Sequence, residues 1–433
     1  MIQKVGHIAR IHPLDKPISA IVNVPGSKSY TNRALIMAAL AEGVSTLRGI
    51  SDSNDSKVLI KLLQQLGIEI DVNKDTAIVK GCAGQFPEYK GELDVEDAGT
   101  VMRFLTALCC IIPGGEITLR GSERMHQRPV KDLVEALKRL GAKIEYLENF
   151  GLPPLLIKGG KIAGGVIKVN GSISSQFISA LLMITPLLPL DTRMIIEGET
   201  VSAPYIDMTL SAMHQFGIKV DGGDGKFQIE GRQCYAEAEY KVEGDASSAS
   251  YILAIAAISK SAVIVNNVPG NSVQSDAHFA DLLQQMGCIM SKKGSTTAVV
   301  GTGELNAITI DMQDMPDTAQ TLAVVAAFAK GETVITGLST LQLKESKRID
   351  ALQTELTKMG IKCEAGDDYI KIIGGKPKGA FINTYDDHRM AMAFAVAGVR
   401  IDGMTIESPE VVKKSFPTFW TTLQTMGVNL EIE

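Results

Sequence analysis

Six times along the chain a helix-like segment closes on the pattern apolar-x-x-apolar-Gly and passes into alternating apolar and polar residues. The six are LQQLGIEIDV at Gly67, LKRLGAKIEYL at Gly141, MHQFGIKVDG at Gly217, LQQMGCIMSK at Gly287, LTKMGIKCEA at Gly360 and LQTMGVNLEIE at Gly427. Apolar residues three apart predict the buried stripe of an amphipathic helix, and the glycine predicts its left-handed ending. The alternation that follows predicts a half-buried strand. A period of about 70 residues, held across all six occurrences, predicts one repeated unit.

A second kind of helix lies in each period, apolar nearly all round: LIMAALA, FLTALCCII, ISALLMI, YILAIAAI, TLAVVAAFA and MAMAFAVAG. Such helices belong in an interior, with only their first turn reaching a surface. Their starts are polar: Ser27-Lys28-Ser29, Asp97-Ala98-Gly99-Thr100, Ser174-Ser175-Gln176, Asp245-Ala246-Ser247-Ser248, Asp317-Thr318-Ala319-Gln320 and Asp386-Asp387-His388-Arg389. The Ser, Thr and Asp residues there are the expected N-caps. Strand, helix, strand, helix, strand is the resulting order, an α/β pattern. Six capped starts could bring several helix N-termini to one place, which suits a ligand with several negative charges.

Composition adds an ordinary globular balance, 45% apolar and 21% charged over 433 residues. The net charge of -6 argues against nucleic acid and anionic membrane as partners, so an anion must be held by a local cluster of cations. No apolar run reaches the length of a membrane helix, and MIQKVGHIAR lacks the apolar core of a signal peptide. A cytoplasmic monomer is the corresponding expectation. Six cysteines without C-x-x-C spacing are expected to be buried reduced thiols, and six histidines without H-E-x-x-H pairing give no metal site. No G-x-G-x-x-G follows a strand in the right place, so no dinucleotide cofactor is expected. Gly222-Gly223-Asp224-Gly225-Lys226 has no Ser/Thr and apolar helix after it and is expected to be a hairpin turn.

Cations accompany the caps: Lys28 and Arg33 at the first start, Arg103 in the second helix, Arg389 at the last. Four loops at repeat-related positions add RMHQRP (124–129), SAPY (202–205), KESKR (344–348) and KKSFP (413–417). Glu345, set between Lys344 and Arg348, falls at the same end of its unit as Asp317. Two carboxylates among cations stay ionised at neutral pH and suit proton transfer.

Taken together and in order, PGSKSYTNR, DAGTVMRFLTA, RMHQRPV, GSISSQFISALLM, SAPYIDMTL, EGDASSASY, MPDTAQTLA, LKESKRI, YDDHRMAMAF and KSFPTFW resemble the 5-enolpyruvylshikimate-3-phosphate synthases. The resemblance spans essentially the whole chain. It implies two similar domains, each of three βαβαββ repeats with buried helices (an inside-out α/β barrel), closing around a central cleft. One domain would run over residues 27–242, and the other would combine residues 1–26 with 243–433. It implies transfer of the enolpyruvyl group of phosphoenolpyruvate to the 5-hydroxyl of shikimate 3-phosphate, without cofactor or metal.

By the same resemblance Lys28 touches both substrates, Ser29 and Arg33 hold the shikimate carboxylate, and Ser174, Ser175, Ser202 and Lys344 bind the 3-phosphate. Gln176 and Tyr205 position the ring, with Gln176 also reaching phosphoenolpyruvate. Arg128, Arg348, Arg389 and Lys414 surround phosphoenolpyruvate, with a backbone contact from Gly99. Asp317 takes the hydroxyl proton and also contacts shikimate 3-phosphate, while Glu345 with Lys28 handles the proton at C3. Asp97 stands where the family usually has Asn, Phe104 where Pro is common, Thr340 for Asn, Gln342 for Arg, and Ser346-Lys347 for Thr-Asp. Two alternatives are a UDP-N-acetylglucosamine enolpyruvyl transferase and a catalytically silent anion-binding protein on the same repeats. The first carries a cysteine in the loop that here reads RMHQRP.

Overall fold

The computed structural model describes residues 7–160 and 162–433. The first six residues, part of the stretch expected to lack a signal-peptide core, lie outside the described residues. The chain divides into two compact units, Gly26–Val242 and a second made of the residues up to Pro25 with Glu243–Glu433.

Each unit contains three helix pairs. Gly26–Val242 holds α1 (Lys28–Leu40) and α2 (Asn54–Gln65), α3 (Gly99–Leu108) and α4 (Lys131–Arg139), α5 (Ser175–Ile184) and α6 (Pro204–Gln215). The other unit holds α7 (Ala246–Ser259) and α8 (Phe279–Gln285), α9 (Ala319–Ala326) and α10 (Arg348–Lys358), α11 (His388–Gly398) and α12 (Phe419–Thr425). The first helix of each pair is the apolar one and lies inside: in α7 every residue from Ala246 to Ile258 is buried, and in α1 every residue from Tyr30 to Leu40. Rich in Ala, Leu, Ile and Met, these segments form helices readily and gain from burial on all sides. The second helix buries one stripe and ends at the expected glycine. Gly67, Gly141, Gly217, Gly287, Gly360 and Gly427 all have φ between +76 and +108, where a side chain would be strained.

Among the described residues the strands form six four-stranded sheets, three to a unit. Lys90–Asp94 runs parallel to Glu116–Arg120, Leu155–Lys158 lies antiparallel beside it, and Lys143–Tyr146 forms the edge. The register aligns Leu93, Leu119 and Leu155 in one fully buried row, so the sheet's inner face meets the helices. The unit is therefore βαβαββ, its parallel pair flanking the internal helix.

Three sheets borrow a strand from elsewhere in the chain. Glu239–Lys241 pairs with Val44–Arg48, and Ser19–Val22 pairs with Ala262–Val265, both in parallel. Ile8–Ile11 lies between Met404–Glu407 and Leu430–Ile432, antiparallel to both. The strand just ahead of α1 in sequence thus completes a sheet of the other unit.

None of the described helices is long and apolar enough to cross a membrane. Asp224 and Gly225, both at positive φ, form the hairpin turn expected there. All six cysteines are free thiols, but only Cys109, Cys110 and Cys288 are buried; Cys82 and Cys363 are half-buried and Cys234 is exposed. The expectation of burial fails for Cys234 because it lies in the connection from Ile229 to Glu239, outside any helix or strand.

Candidate active site

Arg348 opens α10 with a side chain only 1% exposed, and three carboxylates meet it. Asp387 accepts from Nε at 2.8 Å and from Nη2 at 3.3 Å, Glu345 accepts from Nη2 at 2.9 Å, and Asp317 accepts from Nη1 at 3.3 Å. Each carboxylate also serves a second cation or a helix. Asp317 Oδ2 takes Arg389 Nη2 at 2.7 Å, with Lys344 Nζ 3.8 Å from its other oxygen. Glu345 Oε1 lies 3.5 Å from Lys414 Nζ, and Asp387 caps α11 by accepting from the Arg389 amide at 2.9 Å. Ser346 Oγ donates to Asp387 as well.

Burial alone would lower the pKa of Arg348, and the pull of Asp387, Glu345 and Asp317 outweighs it, so the net shift is upward. The pKa of Arg389 likewise ends well above its ordinary value, since Asp317 together with Tyr251, Asp245 and Asp276 outweighs desolvation. Arg389 also donates to Tyr251 Oη and Ser247 Oγ, both at 3.2 Å, and burial pushes that tyrosine up to about 12. Four cations and three carboxylates leave this network with one net positive charge. Arg348 and Asp387 form its buried floor. Asp317, at 21% exposure, and Glu345, at 15%, reach toward solvent.

In the unit Gly26–Val242 the residues form smaller groups. Lys28, at the first position of α1, pairs with Asp55 at 2.9 Å, the lysine 16% and the aspartate 5% exposed. Arg33, one turn further, is buried and spreads its guanidinium over neutral acceptors: Thr209 Oγ1 at 2.7 Å, Ser179 Oγ and the Ser29 carbonyl at 3.0 Å, and the Tyr205 carbonyl at 3.1 Å. Its carbon Cζ lies 5.4 Å from the Phe104 ring and 6.0 Å from the Tyr205 ring. No carboxylate pairs with Arg33 among the described residues. Burial therefore pulls its pKa down to about 10, against the opposing pull of Tyr205, Tyr30 and Tyr240.

The third group joins α3 to the loop 124–129. A Cβ built on Gly99 would fall 2.7 Å from Arg128 Nη1. Only glycine lets the guanidinium lie against the first turn of the helix. Arg103 ties the two elements together by donating to the carbonyls of Gly99 at 3.0 Å and Pro129 at 2.9 Å. Gln176 crosses from α5 to Thr100 Oγ1 at 3.3 Å, while Ser174 caps α5 and Ser175 is buried in its first turn. Ser202, at φ +55 and 7% exposed, precedes α6.

Asp317, Lys344, Glu345, Arg348, Arg389 and Lys414 thus gather in one network, and Lys28, Arg33 and Arg128 each anchor a separate group. Two expected N-caps are absent. Ala98 and Thr318 cap α3 and α9 without a side-chain bond. Asp97 takes the Ser122 hydroxyl and Asp317 takes arginines, so neither carboxylate turns to its own helix.

Asp55, Thr209 and Ser179 were not singled out by sequence, and Asp387 was expected only as an N-cap. For Asp55 a signal existed: it lies four residues before Leu59, on the buried stripe of α2 that continues through Leu62 and Leu63. Thr209 and Ser179 carry no such signal, because small hydroxyls on an apolar helix face are common. The departure at Phe104 places an aromatic ring against Arg33.

Comparison with known proteins gives one consistent result. The family described as EPSP synthase (3-phosphoshikimate 1-carboxyvinyltransferase) matches residues 14–423. A protein of Erwinia tasmaniensis named 3-phosphoshikimate 1-carboxyvinyltransferase is 44% identical over 412 residues, covering 94% of this chain and 96% of its own. One of the same name from Haemophilus influenzae is 45% identical over 421 residues, covering 94% and 97%. The EPSP synthase structure from Acinetobacter baumannii superposes with a TM-score of 0.84 at 26% identity, covering 99% of this chain and all of that one.

Proposed function

The chain belongs to the EPSP synthase family, and from that premise we propose that it transfers the enolpyruvyl group of phosphoenolpyruvate to the 5-hydroxyl of shikimate 3-phosphate, releasing phosphate on the route to chorismate and the aromatic amino acids. The observation that carries the reading is the network on Arg348, in which two partly exposed carboxylates share cations with a buried floor. Such a set can bind an anion and move protons beside it.

To phosphoenolpyruvate we assign Arg348, Arg389, Lys414, Lys28, Gly99, Arg128 and Gln176. Shikimate 3-phosphate takes Ser174, Ser175, Ser202 and Lys344 at its phosphate, with Gln176, Tyr205 and Asp317 along the ring. Ser29 and Arg33 face its carboxylate. Arg33 suits that role because its buried charge has no carboxylate beside it, so an incoming one would restore what desolvation removed.

Asp317 is held by Arg389 and Arg348. A ligand phosphate or carboxylate competes with Asp317 for the same two guanidinium groups. Asp317 then accepts the 5-hydroxyl proton while the hydroxyl oxygen bonds to C2 and C3 is protonated from the side of Glu345 and Lys28. Loss of that proton from C3 and of phosphate from C2 regenerates the double bond. Arg348, pinned by Asp387, keeps the charge of the leaving phosphate compensated.

A cytoplasmic monomer binding neither nucleic acid nor membrane is the matching setting. Free thiols and a net charge of -6 support it. The deciding experiment is phosphate release with the two substrates together, each alone serving as the control. Release only from the mixture is expected. Release with phosphoenolpyruvate and UDP-N-acetylglucosamine instead, or no release at all, rejects the proposal.

A further inference from the structure

Tyr385 and Asp386, directly before the cap of α11, are consecutive non-glycine residues at φ +55, the only such neighbours among the described residues. The Asp387 amide donates to the Thr384 carbonyl at 2.9 Å, so the two form the centre of a tight turn. A turn with both central residues at positive φ favours Asn-Gly, and a tyrosine there is strained. Strain of this kind persists only where surrounding contacts impose it.

The contacts come from the far end of α10. Tyr385 Oη donates to Glu355 Oε1 at 2.6 Å. Glu355 is fully buried and also accepts from Lys358 Nζ at 2.8 Å and from the Asn383 amide at 3.3 Å. Lys358 reaches on to Asn383 Oδ1 at 3.0 Å. Helix α10 is thus fastened to the turn twice, by Arg348 to Asp387 at its start and by Glu355 to Tyr385 two turns later. The turn aims Asp387 at Arg348 and starts the helix that carries Arg389.

We propose that Tyr385 and Glu355 are positioning residues for phosphoenolpyruvate: their hydrogen bond holds the turn that sets Arg348 and Arg389 relative to each other. Neither residue touches the ion network itself. Burial and the bond to Glu355 raise the pKa of Tyr385, so its hydroxyl keeps the proton it donates. The inference rests on the assignment of Arg348 and Arg389 to phosphoenolpyruvate.

The test uses the full-length protein with Tyr385→Phe, Glu355→Ala and the double variant, following the KM of each substrate, kcat and the melting temperature. Tyr385→Phe is expected to raise the KM for phosphoenolpyruvate about tenfold, misplacement of binding groups being costly at this scale. The KM for shikimate 3-phosphate should stay within about twofold, and the double variant should be no worse than the poorer single one. An unchanged KM for phosphoenolpyruvate in Tyr385→Phe overturns the inference. A parallel rise in both KM values that tracks a lower melting temperature overturns it too. If Glu355→Ala does not fold, Tyr385→Phe decides alone. Failure of the unsubstituted protein to turn over would instead reject the function proposed above.

Discussion

Asp317 and Gly99 mark the two ways in which single residues matter here. Asp317→Asn keeps the shape but loses the charge that Arg348 and Arg389 grip. If it is the base, kcat should fall about 100-fold or more, while shikimate 3-phosphate binding measured by calorimetry changes little. A loss confined to that binding would remove the base role. Gly99→Ala introduces a methyl group 2.7 Å from Arg128 Nη1, so the guanidinium must move. The expected result is a higher KM for phosphoenolpyruvate with a smaller effect on shikimate 3-phosphate; an unchanged KM would separate Arg128 from that ligand. Residue identity was only partly legible at this scale. Ser27, Ser174, Asp245 and Asp387 cap helices as their positions suggest. Asp97 and Asp317 look the same in sequence and do not, because a partner from another loop or helix takes the carboxylate, the Ser122 hydroxyl for Asp97 and two arginines for Asp317.

At the scale of elements, the six glycines that end the amphipathic helices gave the repeat, and every one adopts the conformation its place requires. Gly360 isolates the backbone contribution, since a Cβ there would meet nothing within 4 Å. Gly360→Ala is therefore expected to lower stability by about 1–2 kcal/mol through φ alone, read by denaturant unfolding, with kcat/KM unchanged. Loss of activity at full stability would contradict a purely conformational role. The internal helices were legible for the opposite reason, having no polar face to leave outside. Strand partners were not. Residues 18–24 read as the strand ahead of α1, yet the strand there, Ser19–Val22, pairs with Ala262–Val265, because its hydrogen-bonding edge carries no record of which chain segment will fill it.

For the whole molecule, strand exchange makes the two units unequal as pieces of chain. Gly26–Val242 contains every strand of its three sheets, including Glu239–Lys241. Expressed alone it should fold cooperatively, and shortening it to residue 238 should expose the edge of Val44–Arg48 and lower its stability. Residues 243–433 lack Ile8–Ile11, which sits inside a sheet, and should not fold until residues 7–25 are supplied. Circular dichroism and thermal unfolding of the fragments check both statements, and a cooperatively folded 243–433 would contradict the second.

The chain by itself determined the repeat, the division into internal and amphipathic helices, and the identity of the charged loops, because periodicity and helix endings are local properties. Tertiary structure alone decided that Arg348 gathers three carboxylates, that Lys28 meets Asp55, and that Arg33 turns inward to hydroxyls and carbonyls. Those pairings join residues from different loops and helices. Their strength depends on burial and distance, neither of which is written in the order of the residues.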